Sequence, residues 1–182
     1  MNMKPKNFYG LISPRPTVCI STISPEGISN IGPYSFVSPV SFNPQLIGVS
    51  VGKGKDTILN ARDTEDFVVV PVTEGWMDKG IRSEISLPRD ESEFDELGLK
   101  EKRSEKVRSP GVEEAPINIE CEYWDELDAG DHVWLVGKVV HIDSEEKALR
   151  NGRLNIEEMG SVCHVMGEEF CISDEVTIIK RG

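Results

Sequence analysis

Thr17-Val18-Cys19-Ile20-Ser21-Thr22-Ile23 and Leu46-Ile47-Gly48-Val49-Ser50-Val51 are two apolar runs rich in Val and Ile, each about the length of a strand. Between them lies Asn30-Ile31-Gly32-Pro33-Tyr34-Ser35-Phe36-Val37-Ser38-Pro39-Val40-Ser41-Phe42-Asn43-Pro44, which is dense in hydroxyls and aromatic rings and carries no carboxylate. In a chain of net charge -12, such a segment can receive an anion without like-charge repulsion. The second run continues into Gly52-Lys53-Gly54-Lys55-Asp56-Thr57, after which Ile58, Leu59 and Ala61 start a helical pattern with Asp56 as its expected N-cap. A glycine turn opening onto a helix N-terminus beside two lysines suits a phosphate: free N–H groups, the helix dipole and the ammonium charge all favour it. The turn matches neither GxxxxGK[ST] nor GxGxxG, so a nucleoside triphosphate is not expected. A hairpin-exit loop with solvated lysines fits the same residues.

Outward from this stretch, Phe8, Tyr9, Leu11 and Ile12 form an apolar lead-in expected to pack on the strands. Arg15, held extended before Pro16, reads either as an arm reaching a phosphate or as a surface residue at a stiff turn. Ser24-Pro25-Glu26-Gly27 is a turn into a second strand near residues 28–34, and residues 66–72 form a further apolar run. Charges dominate residues 73–109, where Met77, Ile81, Ile85 and Leu87 give a sparse helical face and Phe94, Leu97 and Leu99 a small apolar cluster. Strands then resume. Ile117, Ile119, Cys121 and Tyr123 alternate with Asn118, Glu120, Glu122 and Trp124, the pattern of a strand with one buried face. Gly130-Asp131 turns into residues 132–142, apolar on both faces, as in a wall that also meets a partner subunit. A short helix around 145–150 precedes strands near 160–166, 169–172 and 175–179. Many short strands around one helical insertion imply a closed antiparallel barrel, in one domain spanning 1–182.

With 32 acidic and 20 basic residues, no nucleic-acid or anionic membrane surface is an expected partner. Met1-Asn2-Met3-Lys4-Pro5-Lys6 has no apolar leader pattern and no run approaches the length of a membrane span, so a cytoplasmic location is expected. The cysteines at 19, 121, 163 and 171 lack CxxC spacing and read as small buried hydrophobes. Cys163, His164 and Cys171 are donor types that zinc accepts, but their spacing is not a recognised one, and no metal is expected.

Pro14-Arg15-Pro16, Ser21-Thr22, Pro33-Tyr34-Ser35-Phe36, Asn43-Pro44, Gly48-Val49-Ser50-Val51, Lys55-Asp56-Thr57 and Asp66-Phe67-Val68-Val69 resemble, in order and spacing, the flavin reductase-like, FMN-binding split-barrel family. Phe94-Asp95-Glu96-Leu97-Gly98-Leu99, Ile119-Glu120-Cys121, Gly130-Asp131-His132 and Val136-Gly137-Lys138-Val139 continue the match over nearly the whole chain. Val70 departs from it, standing where the family often has Asn.

The resemblance implies a mainly β, six-stranded antiparallel Greek-key split barrel with a mid-chain helical insertion, acting as a homodimer with FMN at or near the interface. Carried over by position, Tyr34, Ser35 and Phe36 would line the flavin ring and ribityl chain, and Ser50, Val51 and Gly52 would follow the pyrimidine edge or ribityl. Lys55 and Thr57 would hold the phosphate, with Asn30 and Ser38 as further contacts. His132 resembles the histidine that many flavin reductases place near flavin and nicotinamide, and it is the catalytic candidate; its plainer reading is a strand-entry residue bonded to a turn. Three activities are implied: an NADH- or NADPH-dependent FMN reductase, a flavoredoxin-like carrier reduced by a redox partner protein, and a non-catalytic flavin-binding barrel.

Overall fold

In a computed structural model of the chain, residues 5–180 are described; the leader reading of the first four residues falls outside them. A 3-10 helix, Pro5–Leu11, leads into β1 (Arg15–Pro16), β2 (Val18–Ile23), β3 (Ser29–Tyr34), β4 (Val37–Phe42) and β5 (Gln45–Gly52). Then come α1 (Asp56–Thr64) and β6 (Asp66–Pro71). The insertion holds a 3-10 turn (Glu74–Trp76), α2 (Met77–Arg82), α3 (Glu93–Leu97), β7 (Glu101–Lys102) and β8 (Gly111–Val112). Two 13-residue strands follow, β9 (Ile117–Ala129) and β10 (His132–Ser144). A 3-10 turn (Glu146–Ala148), β11 (Leu149–Arg150), β12 (Arg153–Leu154), α4 (Ile156–Met159), β13 (Ser161–Met166) and β14 (Glu169–Ser173) complete the order.

The main sheet runs β3-β2-β6-β9-β10-β5-β4, antiparallel throughout. Its two edge strands, β3 and β4, are consecutive in the chain and separated only by Ser35 and Phe36, so the sheet must curl until its edges approach. Side chains of all seven strands meet in one interior, among them Val18, Ile20, Tyr34, Val37, Val49, Val51, Phe67, Val69, Cys121, Val133 and Leu135. Ile58 and Ala61 of α1 complete that core. At Gly137 the barrel wall depends on a missing side chain, since a Cβ there would collide with the Phe67 ring and stand 2.9 Å from Cys121 Cβ.

A second core lies on the outer face of β2, β3 and β6. Cys19, Ile31, Val68, Val70 and Val72 pack there against Trp76, Phe94 and Leu99 of the insertion. Val70 is therefore an insertion contact, and its departure from the family pattern is a packing matter. The insertion has little secondary structure of its own, so the barrel supplies hydrogen-bond partners for it. Asp66 accepts from the N–H of Arg108 (2.8 Å) and Ser109 (3.0 Å), Glu120 from Glu105 (2.9 Å) and Lys106 (2.7 Å), and Asn118 from Val112 (2.7 Å). Asn118 and Glu120 are thus buried, contrary to the single buried face expected of β9: loop 104–112 covers the polar side.

A three-stranded sheet, β1-β13-β14, closes against the barrel through bonds from Thr17 N–H to Val162 O (2.9 Å) and from Val162 N–H to Val72 O (3.1 Å). Arg15 fastens it. Buried, it gives two N–H groups to the carbonyls of Tyr9 (2.6 Å) and Ile12 (2.8 Å) and two to Val165 O (3.1 Å) and His164 Nδ1 (3.3 Å). The fifth goes to Ser35 Oγ (3.4 Å), so all five guanidinium donors are used within the chain. Arg15 is neither the surface residue nor the phosphate arm that the sequence suggests.

Other expectations need correction. The main sheet has seven strands rather than six, because residues 37–42 form β4, an edge strand that tolerates Pro39. Residues 175–179 pair with nothing among the described residues, and the expected helix at 145–150 is a 3-10 turn followed by β11. Phe8, Leu11 and Ile12 are exposed instead of packing as a lead-in. Cys19 and Cys121 are buried as expected, but Cys171 is exposed and Cys163 partly so. Cys163 and Cys171 are cross-strand partners on one face, whereas His164 alternates to the other and stacks on Phe170, so the three do not converge as a zinc set.

Two substitutions test this packing. Gly137→Ala should lower unfolding stability by about 1–3 kcal/mol in urea titrations, the range for overpacking a close-packed site; an unchanged midpoint would show that the Phe67 contact yields freely. Arg15→Lys should cost about 2–4 kcal/mol, because three ammonium donors cannot satisfy five acceptors. Wild-type stability in that variant would remove Arg15 as the fastening point.

Candidate functional site

The barrel register sets the site. Pairing of β10 with β5 puts His132 opposite Gly52 and Trp134 opposite Ser50, and pairing of β2 with β3 puts Asn30 opposite Thr22. The turn Lys53-Gly54-Lys55 then starts α1 beside them. These elements surround a cleft of about 410 Å³ lined by Asn30, Tyr34, Ser50, Gly52, Lys55, Thr57 and His132, all of them candidates from the sequence. Ser83, Glu84, Ile85, Ser86, Leu87 and Glu93 of the insertion form the remaining wall.

The other candidates lie elsewhere. Strand alternation sends the Val51 side chain into the barrel core, so only its backbone is available to a ligand beside β5. Ser35 lines a neighbouring cleft and bonds His164 Nδ1 at 3.0 Å. Phe36 is partly exposed, its ring 6.4 Å from that of His132 and 5.4 Å from the Arg15 guanidinium carbon. Ser38 is exposed and bonds the adjacent Pro39 carbonyl (2.9 Å), so it does not join the cleft.

Charge is unevenly distributed at the glycine turn. Lys53 pairs with Asp128 across 2.7 Å, whereas Lys55 makes no ion pair among the described residues. Asp56 is the first residue of α1 rather than its cap; Lys55 holds the cap position without a side-chain bond. The Asp56 carboxylate is turned to Arg89, 2.9 Å away. Arg89 thereby offsets the acidic charge at the helix start; the Ile58 N–H bonds Lys55 O (3.1 Å), which leaves the Asp56 and Thr57 N–H groups without an intrahelical acceptor. One lysine, rather than the expected two, remains free for an anion at this turn.

His132 stands at the start of β10 with Nδ1 2.7 Å from Asp131 Oδ1. The bond to His132 holds the Asp131 carboxyl below the usual carboxylate range. A carboxylate accepts only, so Nδ1 carries the proton and Nε2 is left for a ligand. The turn-bonded reading and the ligand-facing reading of His132 are therefore compatible. In the cleft wall, Tyr34 Oη donates to Thr57 Oγ1 (2.9 Å) and Thr57 Oγ1 donates to Asn30 Oδ1 (3.0 Å). Burial pushes the Tyr34 hydroxyl up to about 12. Glu93 completes this network, a role without a local sequence signal: it lies in an acidic helical stretch that reads as a solvated face.

Comparison with known proteins shows what the chain is similar to. The family model described as the flavin reductase like domain matches residues 11–158. A protein of Methanothermobacter thermautotrophicus described only as uncharacterized is 35% identical over 172 residues, covering 90% of this chain and 81% of that protein. The crystal structure of nitrilotriacetate monooxygenase component B from Bacillus cereus superposes with a TM-score of 0.91 at 29% identity, covering 98% of both chains. Flavoredoxin of Desulfovibrio vulgaris has the same fold, with a TM-score of 0.82 at 21% identity over 91% of this chain and 90% of that one. With its family model matched from Leu11 onward over most of its length, the chain belongs to the flavin reductase-like family.

Proposed function

We propose that this chain binds FMN in the cleft between β3, β5, α1 and β10 and acts as an NAD(P)H-dependent flavin reductase. The observation that carries the reading is the juxtaposition, in one cleft, of an unpaired Lys55 at a free helix N-terminus with the Asp131-oriented His132. The residues fit the cofactor. Lys55 and the first N–H groups of α1 suit the phosphate, Gly52 and Gly54 leave its approach unobstructed, and Phe36 and Tyr34 offer aromatic surface for the ring. When bound, FMN would accept a hydride from NADH or NADPH at N5. His132, with Nδ1 fixed by Asp131, presents Nε2 to the nicotinamide or the ring edge and orients it.

A homodimer is part of this reading. Phe42 (91% exposed), Trp124, Leu127 and Ile142 leave apolar surface on β4, β9 and β10 without a partner among the described residues, as a subunit interface would. The runner-up is an electron carrier with fixed FMN, reduced by a redox partner protein. It draws support from the flavoredoxin fold and from the similarity to a protein named as one component of a monooxygenase. A bound flavin that bleaches with dithionite but with neither nicotinamide would select it.

The test is an anaerobic visible spectrum of the FMN-loaded protein on addition of NADH and then NADPH. The reductase reading expects rapid bleaching with one of them and, in His132→Ala, a turnover number lower by about tenfold to a hundredfold with flavin affinity unchanged. Unchanged turnover in that variant would end the catalytic assignment. Lys55→Ala should weaken FMN by about tenfold to a hundredfold and leave riboflavin binding intact; equal losses for both flavins would contradict the phosphate assignment.

A further inference from the structure

Glu93 is 5% exposed, yet no cation pairs with it among the described residues. Its carboxylate instead accepts both contacts of Asn30 Nδ2, at 3.2 and 3.0 Å, and the Ile31 N–H at 3.1 Å. Burial pushes the Glu93 carboxyl up, but the N–H groups of Ile31 and Asn30 converging on its two oxygens favour the ionised form, which can only accept, so the Asn30 amide has one permitted orientation: the flipped rotamer would set Oδ1 against the Glu93 oxygens. Oδ1 must face the other way, where it accepts from Thr57 Oγ1 (3.0 Å) and Thr22 Oγ1 (3.4 Å). The choice then propagates. Thr57 has one hydroxyl proton and gives it to Asn30, so it meets Tyr34 as an acceptor, and Tyr34 gives its only proton to Thr57. What remains at the cleft wall is lone pairs.

We propose that Glu93 is a positioning residue for the cleft: acting through Asn30, it directs the hydroxyl protons of Thr57 and Tyr34 away from the ligand. The Tyr34 and Thr57 oxygens are then acceptors that read a hydrogen-bond donor on the ligand, either a ribityl hydroxyl or the ring N–H. A phosphate, which brings no donor when ionised, is turned away from this wall and toward Lys55 and the α1 backbone. Thr57 thus serves a phosphate through its N–H and not through its hydroxyl. The inference rests on the cleft being a flavin site, but it makes separate demands on the residues. The insertion also gains a part in binding, since Glu93 belongs to α3 and reaches the cleft only because the insertion packs on β3.

The experiment is a double-mutant cycle on flavin affinity, measured by fluorescence titration with FMN and with riboflavin. Tyr34→Phe removes the terminal acceptor and Glu93→Gln removes the group that fixes the direction, since a Gln amide can donate to Asn30 as well as accept from it. Each should weaken both flavins by about tenfold, because the wall serves ring or ribityl and not phosphate. The combined variant should bind no more weakly than either single one, since both interrupt one relay. Tyr34→Phe costing the same factor with and without Glu93→Gln would overturn the relay, as would wild-type affinity in Glu93→Gln. If Glu93→Gln fails to fold, Asn30→Ala takes its place in the same cycle with the same expectation. Failure of the wild-type protein to bind either flavin would instead overturn the flavin reading, and this inference with it.

Discussion

Buried carboxylates accepting backbone N–H groups hold this structure together. A barrel of seven strands, completed by α1, buries its own interior, but the outer faces of β2, β3 and β6 are apolar and need a cover. The segment that covers them is largely irregular, and an irregular segment brings N–H groups that neither helix nor sheet satisfies. Asp66 and Glu120 from the barrel take up those donors, and Glu93 of the insertion reaches across the join the other way, accepting the Ile31 N–H of β3. Charged acceptors make such bonds stronger than neutral ones. A strongly acidic composition therefore has a structural use beyond solubility, and part of it is inside the molecule.

The same arrangement builds the cleft. The β5–β10 register supplies Ser50, Gly52 and His132, the β2–β3 hairpin supplies Asn30 and Tyr34, and the start of α1 supplies Lys55 and Thr57. The insertion adds the fourth wall through residues 83–87 and Glu93. Arg89, from the same insertion, offsets Asp56 at the helix start. The proposed anion site, in a chain of net charge -12, thus depends on local neutralisation rather than on overall charge.

Much of this was legible in the sequence. The apolar runs of β2, β5 and β6 and the turns at Ser24-Pro25-Glu26-Gly27 and Gly130-Asp131 carry local signals strong enough to place the strands. The glycine turn before α1 is equally plain. Contacts that local pattern does not encode were not legible. Asn118 and Glu120 look like a solvent face because alternation reports polarity and not what covers it. Glu93 has no sequence neighbour in the cleft; it meets Asn30 from 63 residues away. Strand β4 was obscured by Pro39 and by exposed residues, features normal at a sheet edge, and residues 175–179 have a strand's composition without a strand to pair with. Asp56 looked like a helix cap, but a nearby Arg89 determined where its carboxylate turned.

On the proposed reading, one cleft holds FMN by its phosphate at Lys55 and presents the ring to His132. A crystal structure of the FMN complex tests it most directly. The phosphate should lie within hydrogen-bond distance of Lys55 Nζ and the first N–H groups of α1, with the ring beside Phe36 and His132. Flavin seated outside this cleft, or a phosphate bound away from Lys55 and the α1 N-terminus, would contradict it.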